Sequence, residues 1–218
     1  NNQSLIYMKH TNLWLAGMAA AMLSACEPAV KAPEAILPVP EQKQIDWQKM
    51  ETYAFVHFGL NTFNDREWGY GDSDPATFNP VKLDCEQWVK TFVAAGMKGV
   101  IFTAKHHDGF CMFKTATTPY NSVDAAPSKR DYVKELSDAC RRGGINFAIY
   151  YSLIDWNYPH AYPISSHNCD FITPQHHEFT KAQVTELLTN YGPISELWFD
   201  MGSNRPEQSK ELYELVHK

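Results

Sequence analysis

From Trp47 onward, apolar and polar positions follow two alternating rhythms. Four short runs are apolar almost throughout: 54–60, 99–104, 146–152 and 196–200. Such continuity predicts parallel strands covered on both faces. Between them lie stretches of helical period. Residues 85–95 carry Trp88, Phe92 and Val93 on one side and stop at Gly96. Residues 131–142 carry Val133, Leu136, Ala139 and Cys140 and stop at Gly143-Gly144. Residues 175–190 carry Phe179, Val184, Leu187 and Leu188 and stop at Tyr191-Gly192-Pro193, and a last helix spans 207–217. A Gly or Pro just past the final turn is the usual stop signal.

Strand and helix alternate, which predicts an α/β fold with a parallel sheet. The expected architecture is a (β/α)8-type barrel of which about four βα units are present in this chain; a closed barrel needs eight units and about 250 residues. Half a barrel leaves the edges of the first and fourth strands unpaired. Phe55, Ile101, Ile149 and Leu197 are then expected to be partly wet, and the chain by itself neither stable nor active.

The region before Trp47 has a different pattern. Met8-Lys9-His10 supplies positive charge ahead of an apolar run from Leu13 to Met22, followed by Leu23-Ser24-Ala25-Cys26. The run is too short for a membrane span of about 20 residues and has the length of a signal-peptide core. Its end looks like a bacterial lipobox, with Cys26 as the acylated residue; an ordinary signal peptide with an incidental Cys is the alternative. Residues 1–7 read as upstream sequence before a start at Met8. Pro28, Pro33, Pro38 and Pro40 make 27–44 an extended tether. The expected organisation is therefore a leader over 1–26, a tether over 27–44 and the barrel portion over 45–218. It describes an exported bacterial lipoprotein, membrane-anchored through lipid and periplasmic or cell-surface.

Composition narrows the function classes. With 44% hydrophobic residues the 218-residue chain is globular, and its net charge of −6 excludes nucleic acid as the expected partner. Cys85, Cys111, Cys140 and Cys169 form no C-x-x-C pair, so neither a zinc ribbon nor a redox dithiol is indicated. Cys85 and Cys140 lie on apolar helix faces and read as buried thiols; a disulfide among the four stays open.

The ends of the four strands carry the candidate chemistry: His57, then His106 and His107, then Tyr150 and Tyr151, then Trp198 and Asp200, with Glu67 and Trp68 in the loop 61–80. In a barrel these converge on one face. Strand alternation turns one of the two histidines toward that face and places Tyr151 in the core. Aromatic faces, hydrogen-bonding His and Glu, and a carboxylate are what a sugar site needs. Asp200 as a mere turn cap and Trp68 as a core residue are the plainer readings. His160, His167, His176 and His177 fall on a loop and a helix start. Neither H-x-H nor H-E-x-x-H spacing occurs, so no metal or cofactor is expected.

The segments Phe55-Val56-His57-Phe58-Gly59, Arg66-Glu67-Trp68-Gly69, Lys105-His106-His107-Asp108-Gly109-Phe110 and Leu197-Trp198-Phe199-Asp200 resemble the family 29 α-L-fucosidases. Pro127-Ser128-Lys129-Arg130-Asp131, Tyr150-Tyr151-Ser152 and Glu186-Leu187-Leu188-Thr189-Asn190-Tyr191-Gly192-Pro193 extend the resemblance in collinear order. It implies a retaining mechanism with Asp200 as nucleophile. It implies fucose contacts from His57, Glu67, His106 and His107, walls from Tyr150 and Trp198, and Trp68 as a closing residue. The partner it implies is a fucosylated oligosaccharide or glycoconjugate. A retaining enzyme also needs an acid/base carboxyl about 5–5.5 Å from the nucleophile; the family places it beyond the fourth strand, past Lys218. A non-hydrolytic fucose- or glycan-binding lipoprotein is the competing class, and a metal-dependent barrel hydrolase a third.

Overall fold

The computed structural model describes residues 31–161 and 171–218. Cys26, Cys169 and His167 therefore lie outside the described residues. The chain divides into two compact units, 1–41 and 42–218. In the first, residues 31–41 form neither helix nor strand, and Ile36, Leu37 and Val39 are exposed. Among the described residues no helix is long and apolar enough to cross a membrane.

The second unit opens with α1 (Gln42–Gln48), three residues inside the stretch expected as tether. Then follow β1 (Ala54–Val56), α2 (Leu60–Phe63), α3 (Cys85–Ala94), β2 (Gly99–Lys105), α4 (Tyr132–Gly143), β3 (Asn146–Ser152), α5 (Pro174–Asn190), β4 (Leu197–Asp200) and α6 (Pro206–Val216). The strands form one parallel sheet in the order β1-β2-β3-β4. This is the expected α/β architecture, covering part of a barrel.

Local chemistry explains the element ends. Asp84 caps α3 by accepting from the backbone N–H groups of Glu86 and Gln87, and Asp131 caps α4 by accepting from Lys134. Gly144 ends α4 in the left-handed region at φ 70°, which glycine adopts without a Cβ clash. The run 54–60 yields a strand of only three residues. Thr62 Oγ1 accepts from the Gly59 N–H at 3.2 Å and Asn64 Nδ2 donates to the Leu60 carbonyl at 2.9 Å, so the chain turns into α2 instead of extending.

Register separates the two faces of the sheet. Val56, Phe102, Ile149 and Leu197 lie at one level, toward the helices. They join a core with Val89, Val133, Leu136, Cys140, Val184 and Leu187. The opposite, inner face carries Phe55, Ile101, Ala148, Tyr150 and Trp198. Ile101 is buried with Ala148 and Tyr150, while Phe55 and Trp198 stay 41% and 42% exposed. Two of the four residues expected to be wet are thus fully covered. Ile149 points to the helices by the two-residue alternation of β3, and Ile101 is shielded by its neighbours on the inner face. Cys85, Cys111 and Cys140 are free and buried.

Candidate active site

Asp200 is the last residue of β4 and pairs in register with Ser152 at the end of β3. Two residues back on β3, on the same inner face, Tyr150 donates its hydroxyl to Asp200 Oδ2 at 2.5 Å. The half-buried carboxylate thus has one oxygen held by a phenol. Trp198 and Phe55 meet edge-on at 5.4 Å beside Tyr150, giving the open inner face an aromatic wall. Tyr151 is buried on the helix side, as alternation predicts.

His106 and His107 depart from that alternation. β2 ends at Lys105 with a register shift between Thr103 and Lys105. Past it the chain no longer alternates, and the two rings stack at 4.1 Å with 30° between planes. Both are buried on the same side, where alternation had allowed one. The His57 ring sits 4.5 Å from that of His106. His107 Nε2 approaches Asp200 Oδ2 to 3.9 Å, and its Nδ1 lies 2.7 Å from Ser152 Oγ.

Burial, reinforced by the neighbouring His107 and His57, pushes His106 down to about 3. Burial likewise lowers His107 to about 4, against the pull of Asp200. At neutral pH both imidazoles are uncharged, so each can accept a hydrogen bond at one nitrogen and donate at the other.

A cavity of about 390 Å³ adjoins this cluster through His57 and His106 and is lined further by Asn61, Glu67, Trp68 and Asp108. Glu67 and Trp68 are themselves exposed at its mouth. Asn61 is buried and donates from Nδ2 to the Trp68 carbonyl at 2.9 Å, which pins the loop that carries them. The sequence reading missed Asn61 and Ser152. For Ser152 a signal existed, since alternation from Tyr150 puts it on the inner face; for Asn61 there was none.

His176 and His177 lie in the first turn of α5, and His177 Nε2 is 3.1 Å from Glu211. Among the described residues no group of three or more His, Cys, Asp or Glu is gathered as a metal site.

Fold and strand-end chemistry together define part of a parallel α/β barrel with its polar site at the C-terminal ends of the strands. The chain belongs to the alpha-L-fucosidase family, whose model matches residues 33–218. It is 40% identical over 192 residues to alpha-L-fucosidase 1 of Arabidopsis thaliana, covering 84% of this chain and 36% of that protein. It resembles the crystal structure of a glycoside hydrolase 29 family member from an unknown rumen bacterium, with TM-score 0.71 and 44% identity over 82% of this chain and 34% of that one. A mutant of the alpha-L-fucosidase AlfC with an aspartate replaced by alanine, solved with 4-nitrophenyl α-L-fucopyranoside, is similar at TM-score 0.69 and 25% identity. That match covers 81% of this chain and 66% of AlfC. The chain spans about a third of the length of the curated relatives it matches.

Proposed function

We propose that this chain carries the nucleophile side of a retaining α-L-fucosidase, which hydrolyses terminal α-L-fucosyl linkages of glycans. The observation that supports it best is the Asp200 carboxylate at the end of β4, hydrogen-bonded by Tyr150 and flanked by His107. Asp200 attacks the anomeric carbon through an oxocarbenium-like transition state and forms a glycosyl-enzyme ester, which water then cleaves. Trp198 and Tyr150 pack on the sugar's apolar face; His57, Glu67, His106 and His107 hydrogen-bond its hydroxyls, and Trp68 closes over it. The acid/base carboxyl comes from outside residues 1–218.

Asp200→Ala in the full-length gene product should lower turnover of an aryl α-L-fucoside by several orders of magnitude with the fold intact. Retention of more than about a tenth of the rate, a barrier change of only about 1.4 kcal/mol, overturns the assignment. Fucose binding by the unsubstituted protein without any hydrolysis would replace it with the glycan-binding reading.

The leader supports a second part of the proposal: Cys26 is lipidated and anchors an exported bacterial protein over a tether of 27–44. Intact-mass analysis from the native host should find a mature chain beginning at acylated Cys26. An unmodified N-terminus elsewhere rules the anchor out, and Cys26→Ser should release the protein or block its maturation.

A further inference from the structure

Ser152 is fully buried and has one hydroxyl proton to give. It lies 2.8 Å from the Ile154 carbonyl oxygen, an acceptor that can only receive, so the proton goes there. The contact of 2.7 Å between Ser152 Oγ and His107 Nδ1 then needs its proton from the imidazole. The backbone gives this relay a rigid footing. Ser152 ends β3 in register with Asp200, and the Trp156 N–H donates to the His107 carbonyl at 2.9 Å, tying the two strand ends together.

We infer that Ser152 is a positioning residue which holds neutral His107 with its proton on Nδ1, leaving Nε2 as an acceptor on the side of Asp200. Nε2 and Asp200 Oδ2 then present two lone pairs to each other at 3.9 Å, a gap with no proton of its own. Tyr150 supplies its hydroxyl proton to that same oxygen. A ligand that settles between them must bring the missing proton: the group at His107 is a hydroxyl that donates. Burial supports the neutral state, since it keeps His107 from charging until pH falls to about 4. The opposite tautomer would point an N–H at the nucleophile and stabilise its charge before attack. It would also leave Nδ1 and Ser152 Oγ as two acceptors in contact, because Ile154 holds the serine proton.

The sugar part rests on the fucosidase reading; the tautomer does not. Long-range ¹H–¹⁵N correlation on the full-length protein with ¹⁵N-labelled histidine, assigned through His107→Gln, reads the tautomer at pH 7 without any ligand. The expected result is a neutral His107 protonated at Nδ1. Protonation at Nε2 overturns the inference, whether or not any variant folds. In Ser152→Ala the Nδ1 proton loses its acceptor and the population should shift to the Nε2–H form; an unchanged tautomer ends the role of Ser152.

Calorimetric binding of L-fucose and its monofluoro analogues reads the ligand side, because fluorine cannot donate. One hydroxyl position should lose roughly ten- to hundredfold in affinity on fluorination, as expected when a buried acceptor is left unpaired. That penalty should shrink in Ser152→Ala. Equal affinity at every position overturns the acceptor role. Failure to bind L-fucose itself sinks the fucosidase reading and leaves the tautomer to be judged by its own spectrum.

Discussion

At the scale of single residues, titration of buried groups sets how stability responds to pH. Burial outweighs the backbone N–H of Phe110 and raises the Asp108 carboxyl to about 7 from its ordinary 3.8. Between those values the folded chain holds a proton that the unfolded chain has released. Asp108 therefore contributes stability in acid and loses it as pH rises through about 7. His106, His107 and His176 act the other way. Burial lowers His106 to about 3, His107 to about 4 and His176 to about 3, from 6.5. Below 6.5 the unfolded chain takes up protons that the folded one refuses, so stability falls as pH drops toward 4. Three such groups against one carboxyl predict a net loss on acidification, measurable as a falling denaturation midpoint between pH 7 and pH 4.5. Asp108→Asn, permanently neutral, should be more stable than the parent at pH 8, with the advantage shrinking toward pH 4. An advantage that grows in acid would show that the carboxyl is not held neutral.

The elements are joined at the site end by a buried ion pair. Lys105, the last residue of β2, donates to Asp155 Oδ2 at 3.2 Å and lies 4.3 Å from the centre of the Tyr151 ring. Burial opposes the ammonium, but Tyr151 and Asp155 outweigh it and hold Lys105 above its ordinary range. The other Asp155 oxygen accepts from the backbone N–H groups of Asn157 and Tyr158 and shapes the turn after β3. One carboxylate thus ties β2 to the β3 loop. Removing one partner of such a pair leaves a buried charge alone, which costs about 3–5 kcal/mol. Lys105→Met should lower unfolding free energy by that amount in a urea titration. A loss under about 1 kcal/mol would mean that water reaches Asp155 in the variant. The loop 61–80 docks on the same turn at Gly71. There φ is +76° and an added Cβ would sit 2.5 Å from the Trp156 carbonyl carbon, which is backbone and cannot step aside. Asn157 Nδ2 donates to the Gly71 carbonyl at 2.8 Å in the same contact. Gly71→Ala should detach this loop, seen as faster amide exchange around Asn61 and Trp68 while the amides of β2 and β3 keep their protection.

On the scale of the whole unit 42–218, helices cover one face of the sheet among the described residues and the other is open. Helices cover the outer face, and α1 is fastened to the start of β4 by the Trp47 indole donating to Glu196 at 2.6 Å. On the inner face Phe55 and Trp198 remain exposed, and β1 and β4 are the sheet's edges. Apolar area left in water forgoes about 25 cal/mol per Å². Unpaired strand edges are templates for association. Residues 27–218 expressed alone should therefore self-associate and melt without a sharp transition, as light scattering and calorimetry would record. A monomer that melts cooperatively would show that the outer core suffices, and fucoside hydrolysis by it would place the acid/base within these residues.

Local pattern was enough for everything set by a residue's own neighbours in the chain. The strands 99–104 and 146–152, the helix stop at Gly143-Gly144, and the inward Tyr150 beside the buried Tyr151 all follow from side-chain period and backbone freedom. Asp200 stood out for the same reason, as a carboxylate ending an apolar strand. Contacts between strands decided the rest. The run 54–60 was cut to three residues because Thr62 and Asn64 capture backbone groups at its end. His106 and His107 share a side because the register of β2 shifts just before them, which no spacing records. The partners of Lys105 and His107, Asp155 and Ser152, lie 50 and 45 residues away. Such pairs form only when the sheet brings its strand ends together, because a buried polar group is satisfied by whatever folding places within about 3 Å of it.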